Sequence, residues 1–358
     1  MSELQAAAPA RERVEWVDTC KGVAIFLVVV GHALGGMINS RLLADSPLVA
    51  SVIRWIYAFH MPVFFMLSGL FLPRSLRKPL PNFAADKLRT VAYPYLVWSA
   101  VTIVFQTLLA GRTNTQAHWS DLARIANTPV AQFWFLYALF VIMMAFAILS
   151  TLGLRPWMLL LFAVVIHPAI TPPLSTLVTP LLQARVNAVY VALGAVIGSR
   201  TDWTDRVARL SIGWLVGIAL TGFGSMTTLV YLGIDKDPTY KTLVALPGVA
   251  ACIALSIAMT RSGVFRNVLK TWGRYSLEIY VAHTMASAAV RIVGQKLMHI
   301  QDPALHLAAG TFAGLYGPIV LAMVCERLGV SYVFTWPKPE QKGKRLRVEA
   351  ASEAGVGA

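Results

Sequence analysis

The chain has 358 residues, of which 57% are apolar and 13% charged, with 31 Lys and Arg against 17 Asp and Glu and a net charge of +14. Soluble domains carry roughly 25% charged residues, so this composition excludes an ordinary water-soluble fold, and with it a disordered, collagen-like or disulfide-stapled chain. The apolar residues fall in long runs, the pattern of membrane spans, and a basic excess on such a chain points to a Lys/Arg-rich cytoplasmic face before it points to nucleic acid.

In chain order, residues 1–21 read as a cytoplasmic N-terminal segment. The apolar stretch after Lys21 carries a His and has no A-x-A-like cleavage site, so it reads as an uncleaved first span. A span needs about 20 mostly apolar residues. That rule predicts helices at 22–38, 55–72, 91–110, 130–150, 156–171, 186–199, 210–233, 241–260, 273–292 and 305–328, with the second able to start as early as Leu48. The fifth, sixth and ninth are short or interrupted by polar residues. Residues 22–328 then form one transmembrane domain, and 329–358 a basic, then Ala/Gly/Glu-rich tail expected to be disordered and cytoplasmic. Cys20, Cys252 and Cys325 are odd in number and widely spaced, without CxxC, so neither a disulfide framework nor a metal site is expected.

Ten spans place both termini on one face. With that face inside, the inner segments hold 22 Lys and Arg and the outer ones 9, so both termini are expected in the cytoplasm. The expected fold class is an all-α polytopic membrane protein with about ten transmembrane helices.

Charged and polar groups inside spans are costly and mark function. Among the acidic residues only Glu278 falls well inside a predicted span, and among the seven His four do: His32, His60, His167 and His283. His32 lies eleven residues beyond Lys21, about 16 Å deeper into the bilayer. Gly31, Gly35 and Gly36 flank it and allow close approach of a helix or substrate. An imidazole there suits general-base chemistry or helix packing equally well. Asp18 and Lys21, three apart, share a face at the start of the same helix, as a local ion pair or anchor would. His60 precedes Met61-Pro62, where proline frees a carbonyl that His60 or Ser68 could satisfy, or the two could line a cavity. His167 also precedes a proline, near a helix end, and reads as structural; His118, His299 and His306 fall in or near loops. Glu278 and His283 stand about 140° apart around their helix, which argues against a local pair. The loop with Arg74, Arg77 and Lys78, followed by Lys87 and Arg89, reads as positive-inside anchoring or as a phosphate clamp.

The segment Trp16-Val17-Asp18-Thr19-Cys20-Lys21-Gly22, followed by a helix with Gly31-His32, resembles the opening of the acyltransferase-3 family of integral membrane O-acyltransferases. Phe59-His60-Met61-Pro62-Val63-Phe64-Phe65-Met66-Leu67-Ser68-Gly69 is similar to that family's next signature, above all in its fucose 4-O-acetylase-like branch. Pro94-Tyr95-Leu96-Val97-Trp98, Phe133-Trp134-Phe135-Leu136 and Tyr275-Ser276-Leu277-Glu278-Ile279-Tyr280-Val281-Ala282-His283 follow in the family's order. Where many members have arginine this chain has Lys21, which keeps the charge without bidentate geometry.

The resemblance implies transfer of an acyl group, most often acetyl, from cytoplasmic acyl-CoA to a hydroxyl of a cell-surface glycan or lipid-linked sugar. It implies His32 as general base or transient acyl carrier, with Asp18 and Lys21 as its polar support and Arg74 with Arg77 as contacts to acyl-CoA; Glu278, from its place in a span, and Arg89, from the same basic loop, are expected to join the catalytic and the acyl-CoA groups respectively. His60, Ser68, Trp134 and His283 are then expected to bind the acceptor. It further implies a multi-pass protein of the bacterial inner membrane, with acyl-CoA as donor substrate, no permanently bound cofactor and no nucleic-acid partner. The same ten spans with intramembrane His and Glu also fit a transporter or flippase for a small polar solute or lipid-linked sugar, which would act without an acyl donor.

Overall fold

A computed structural model describes residues 14–109, 116–170, 179–200, 202–237, 239–263 and 265–336. The described residues form helices and no strand: α1 (Glu15–Asn39), α2 (Pro47–Leu70), α3 (Leu72–Ser75), α4 (Leu80–Lys87), α5 (Tyr93–Leu108), α6 (Trp134–Thr151), α7 (Pro156–Val165), α8 (Thr179–Gly198), α9 (Trp203–Arg209), α10 (Ile212–Tyr231), α11 (Lys241–Ser262), α12 (Arg266–Arg274), α13 (Ser276–Ile292) and α14 (Pro303–Arg327). A π-turn at Leu88–Ala92 joins α4 to α5 without a break. Eight helical segments are long and apolar enough to cross a bilayer: α1, α2, Leu80–Leu108, Ala131–Thr151, Leu181–Gly198, α10, α11 and α14. The chain is an all-α polytopic membrane protein. Trp214, Leu220, Leu243 and Phe312, each at least 60% exposed, present apolar surface that only lipid can cover.

The two remaining predicted spans differ from expectation. The fifth is helical only from Pro156 to Val165, about 15 Å of rise and half a hydrocarbon core. It stops where His167 Nε2 shares a 2.9 Å hydrogen bond with Thr242 Oγ1 and Arg185 Nε donates to the Ile166 carbonyl at 2.8 Å. That use of Arg185 lets α8 begin at Thr179, seven residues before the predicted 186. The ninth starts at Ser276 instead of 273, because the chain turns at Tyr275 after a separate helix, α12, that hydropathy alone assigned to a loop.

Helix α12 is pinned to the start of α1. Glu15 accepts from Arg266 at 2.9 and 2.5 Å and from Lys270 at 2.6 Å, and the carboxylate holds the Arg266 guanidinium above its usual range. A Cβ on Gly22 would overlap the Leu269 carbonyl, and one on Gly273 the Asp18 carbonyl, so the two backbones touch. At the same end Thr260 of α11 donates to Thr19 of α1 at 2.9 Å. Helices α2 and α8 meet in the same backbone-to-backbone way at Gly69, Gly194 and Gly198.

Adding one methyl in such a contact forces the backbones apart, at a cost of about 1–3 kcal/mol. Gly194→Ala should therefore lower the thermal unfolding midpoint in detergent. Gly224→Ala on α10, where a Cβ meets nothing within 4 Å, should leave it unchanged or slightly higher. Equal midpoints for the two variants would contradict the α2–α8 contact.

Candidate functional site

A cavity of about 870 Å³ opens between α1, α5, the start of α6, α13 and α14. Along α1 its wall runs from His32 through Gly35 and Gly36 to Asn39, away from Lys21 and toward the opposite end of the helix. Tyr57, Gln132, Trp134, Thr284 and Arg291 are among the residues that bring polar groups into a largely apolar and aromatic wall.

The glycines around His32 divide their work. A Cβ on Gly31 would collide with Tyr57 Cε1 at 2.6 Å, so Gly31 lets α2 close in behind the imidazole. A Cβ on Gly35 would meet nothing within 4 Å, so Gly35 widens the cavity in front of it. Around His32 the rings gather: His283 at 5.1 Å between centroids and Tyr57 at 5.9 Å, with His60 5.2 Å beyond Tyr57 and Tyr280 6.3 Å beyond His283.

The three imidazoles are not equivalent. His283 is fully buried, and its Nδ1 lies 2.9 and 2.8 Å from the carbonyls of Ile279 and Tyr280. Carbonyl oxygens only accept, so that nitrogen carries the proton. His283 Nε2 is then a bare acceptor, buried and without a hydrogen-bond partner among the described residues. His60 is likewise buried, with Nδ1 2.7 Å from the Ile56 carbonyl. His32 alone of the three borders the cavity.

The wall opposite α1 is built by an irregular turn. Ala131 has φ of 45°, a conformation uncommon for a residue with a Cβ, and it swings Gln132 and Trp134 to the cavity at the head of α6. Gln132 donates to Thr284 Oγ1 at 2.9 Å, and its carbonyl accepts from the Tyr280 hydroxyl. The turn is thereby locked to α13, the helix that carries His283.

A second polar locus lies at the Lys21 end of α1. Asp18 Oδ2, Trp272 Nε1 and Glu278 Oε2 are buried there without a hydrogen-bond partner, and Arg274 Nε stands 3.9 Å from Asp18 Oδ2. Glu278 sits in the first turn of α13, nearer this face than the predicted span placed it, since the helix starts only at Ser276. A carboxylate is favoured at a helix N-terminus. Lys21 is half-buried on the same stretch of α1. Arg74 and Arg77 are exposed, and Arg89 half-buried, on the α2–α5 connection beside the Lys78–Asp86 ion pair. Ser68 is half-buried in the last turn of α2.

The structure thus brings His32, His283 and Trp134 to one place and reaches His60 through Tyr57. It keeps Asp18, Lys21, Glu278, Ser68, Arg74, Arg77 and Arg89 out of the cavity wall. Sequence reasoning missed Tyr57, Gln132, Arg291 and His306. Tyr57 stands three residues before His60, a spacing that shares a helix face. Arg291 falls at the very end of the predicted ninth span, where an anchoring charge is ordinary, and His306 falls near a predicted loop. It is buried in the first turn of α14 with Nε2 2.9 Å from the Ile300 carbonyl. Among the described residues no three His, Cys, Asp or Glu side chains gather as a metal site would require.

The chain matches the acyltransferase-3 family, described as an acyltransferase domain, over residues 14–323. Nodulation protein NolL of Mesorhizobium japonicum is 24% identical over 233 residues, 64% of this chain and 59% of that protein. Nodulation protein NolL of Sinorhizobium fredii is 29% identical over 181 residues, 49% of this chain and 47% of that protein. The chain spans about half to three-fifths of the length of these curated relatives. No solved structure matches.

The hydrogen bonds around His283 fix its tautomer. Nitrogen-15 NMR of histidine-labelled protein should assign the ring an Nδ1–H, and an Nε2–H would contradict the arrangement.

Proposed function

Because the chain belongs to the acyltransferase-3 family, we propose that it is a membrane O-acyltransferase that uses acyl-CoA, most simply acetyl-CoA, to esterify a hydroxyl of a glycan or lipid-linked saccharide. The observation that carries this reading is His32: an imidazole on a cavity wall in mid-membrane, backed by the bare Nε2 of His283.

The basic face, with Arg74, Arg77 and Arg89, is the cytoplasmic one, so both termini lie inside and the membrane is the bacterial inner membrane. Acyl-CoA approaches from that face, its phosphates on the three arginines, which suit bidentate phosphate contacts. Its thioester reaches His32 past Lys21 and past Asp18 and Glu278, each of which holds a buried carboxylate oxygen that accepts no hydrogen bond among the described residues and can accept one from the donor. The acceptor enters the cavity from the other end, where Trp134 offers a flat face for a sugar ring and Gln132 and Thr284 offer hydrogen bonds.

A ring nitrogen of His32 takes the proton of the acceptor hydroxyl as its oxygen attacks the thioester carbonyl. The new C–O bond forms and the C–S bond breaks. The imidazolium then returns the proton to the departing CoA thiolate, leaving ester and free CoA. In the reacting complex the bare His283 Nε2, on the ring 5.1 Å from that of His32, would accept from the other ring N–H of His32 and so turn the basic lone pair toward the cavity. A base held by a third group in this way is the general logic of activated nucleophiles.

General-base help is worth on the order of 10²–10⁴-fold. His32→Ala should lose that much of the acetyl transfer from labelled acetyl-CoA while remaining monodisperse in detergent; full activity in a folded variant would refute the assignment. Replacing Arg74 and Arg77 together by Ala should raise the KM for acetyl-CoA by about tenfold or more with kcat nearly unchanged. Vectorial solute movement without any acyl donor would favour a transporter instead.

A further inference from the structure

Arg291 occupies the last turn of α13, is only 8% exposed, and borders the cavity. It forms no ion pair among the described residues, although Arg54, Arg206 and Arg266 all do. Its Nε lies beside Gly36, in a region of α1 whose last turn has no basic residue. A helix C-terminus offers partial negative charge, but that returns only part of what it costs to take a guanidinium out of water. No carboxylate of the described chain supplies the rest, and the cavity is the direction from which a counter-charge can arrive.

We propose that the cavity is built for an acidic acceptor, a saccharide carrying a phosphate or carboxylate that Arg291 binds while a hydroxyl of the same molecule meets His32. The register follows from α1: His32 and Gly36 are one helical turn apart, about 6 Å along the axis. The anionic group therefore belongs on the reacting sugar unit or the next one, displaced toward the far face. Guanidinium presents paired donors that match either oxyanion, so the shared chemistry is a planar or tetrahedral oxyanion. This inference rests on the acyltransferase reading for the role of His32, but the anion site itself can be measured without any turnover.

Purified full-length protein in detergent is titrated with glucuronate, with inorganic phosphate, with CoA and with glucose, and its melting temperature followed. Glucuronate or phosphate should raise the midpoint of the wild type and of Arg291→Lys, and not that of Arg291→Gln; glucose should give no such Arg291-dependent shift. Without ligand, Arg291→Gln should melt no lower than the wild type, because it removes an unpaired buried charge. A lower midpoint that Arg291→Lys restores, with no anion-dependent shift in the wild type, would make Arg291 architectural and overturn the proposal. An Arg291-dependent shift with CoA alone would also overturn it, by giving the charge to the donor.

In membranes supplied with labelled acetyl-CoA, Arg291→Gln should raise the acceptor KM at least about tenfold and leave that for acetyl-CoA unchanged. The His32-dependent product should bind an anion exchanger; a neutral product would overturn the proposal. Full transfer by His32→Ala alongside an Arg291-dependent glucuronate shift would sink the proposed chemistry and leave the anion site standing. His32-dependent transfer with no such shift would do the reverse.

Discussion

Helix α1 is the element on which the other arrangements depend, and what lets it serve is the placement of its small residues. It packs against α2, α11, α12, α13 and α14. Gly22 brings α12 to backbone contact at one end, Gly31 admits Tyr57 in the middle, and Gly35 leaves open space just beyond. In a bilayer, lipid competes with protein for apolar surface, so helices associate by close packing and internal hydrogen bonds more than by hydrophobic exclusion. A helix that touches five others can hold a titratable ring at mid-depth because its neighbours, not lipid, supply the surroundings.

Two polar regions result, and they face different ways. Near the basic face the buried oxygens of Asp18 and Glu278 that make no hydrogen bond among the described residues lie close to a packed aromatic layer, with Phe26 stacked on Trp272 at 5.7 Å and Tyr316 edge-on to Trp272 at 6.1 Å. Beyond it the cavity opens toward the other face. His32 stands between the two, with its depth set by the roughly 16 Å of helix from Lys21. The acyl transfer proposed above would need this division, because a continuous water path would leak ions and expose a thioester to hydrolysis.

Much of this was legible in the sequence, for reasons that can be named. Hydropathy located the eight long helices because each carries its own apolar run, uninterrupted in cases such as Phe140–Ile148 of α6. His32 stood out because it is a lone imidazole among valines and glycines deep in an apolar span, where a polar group is costly whether it serves chemistry or packing. Helix α12 was invisible to the same method: Arg266–Arg274 is polar on one face, and its place is set by Glu15, 251 positions earlier in the chain. Arg185 hid the true start of α8 in the same way, by bonding a carbonyl that only the fold brings near. His283 and His32 share no spacing in sequence, so their contact is a product of how α1 and α13 pack. Arg291 reads as an anchor at a span end until its burial and the lack of a carboxylate are both known.

The bare stretch of α1 at Gly35 has a meaning for how such a protein changes over generations. With nothing within 4 Å of the missing Cβ, an added methyl there would project into empty space and leave the helix contacts as they are. Position 35 is thus a place where the cavity can be narrowed by a methyl group without disturbing the packing of α1. A lineage could reduce what the cavity holds by a single step to alanine, keeping His32 and the close contact at Gly31 behind it intact.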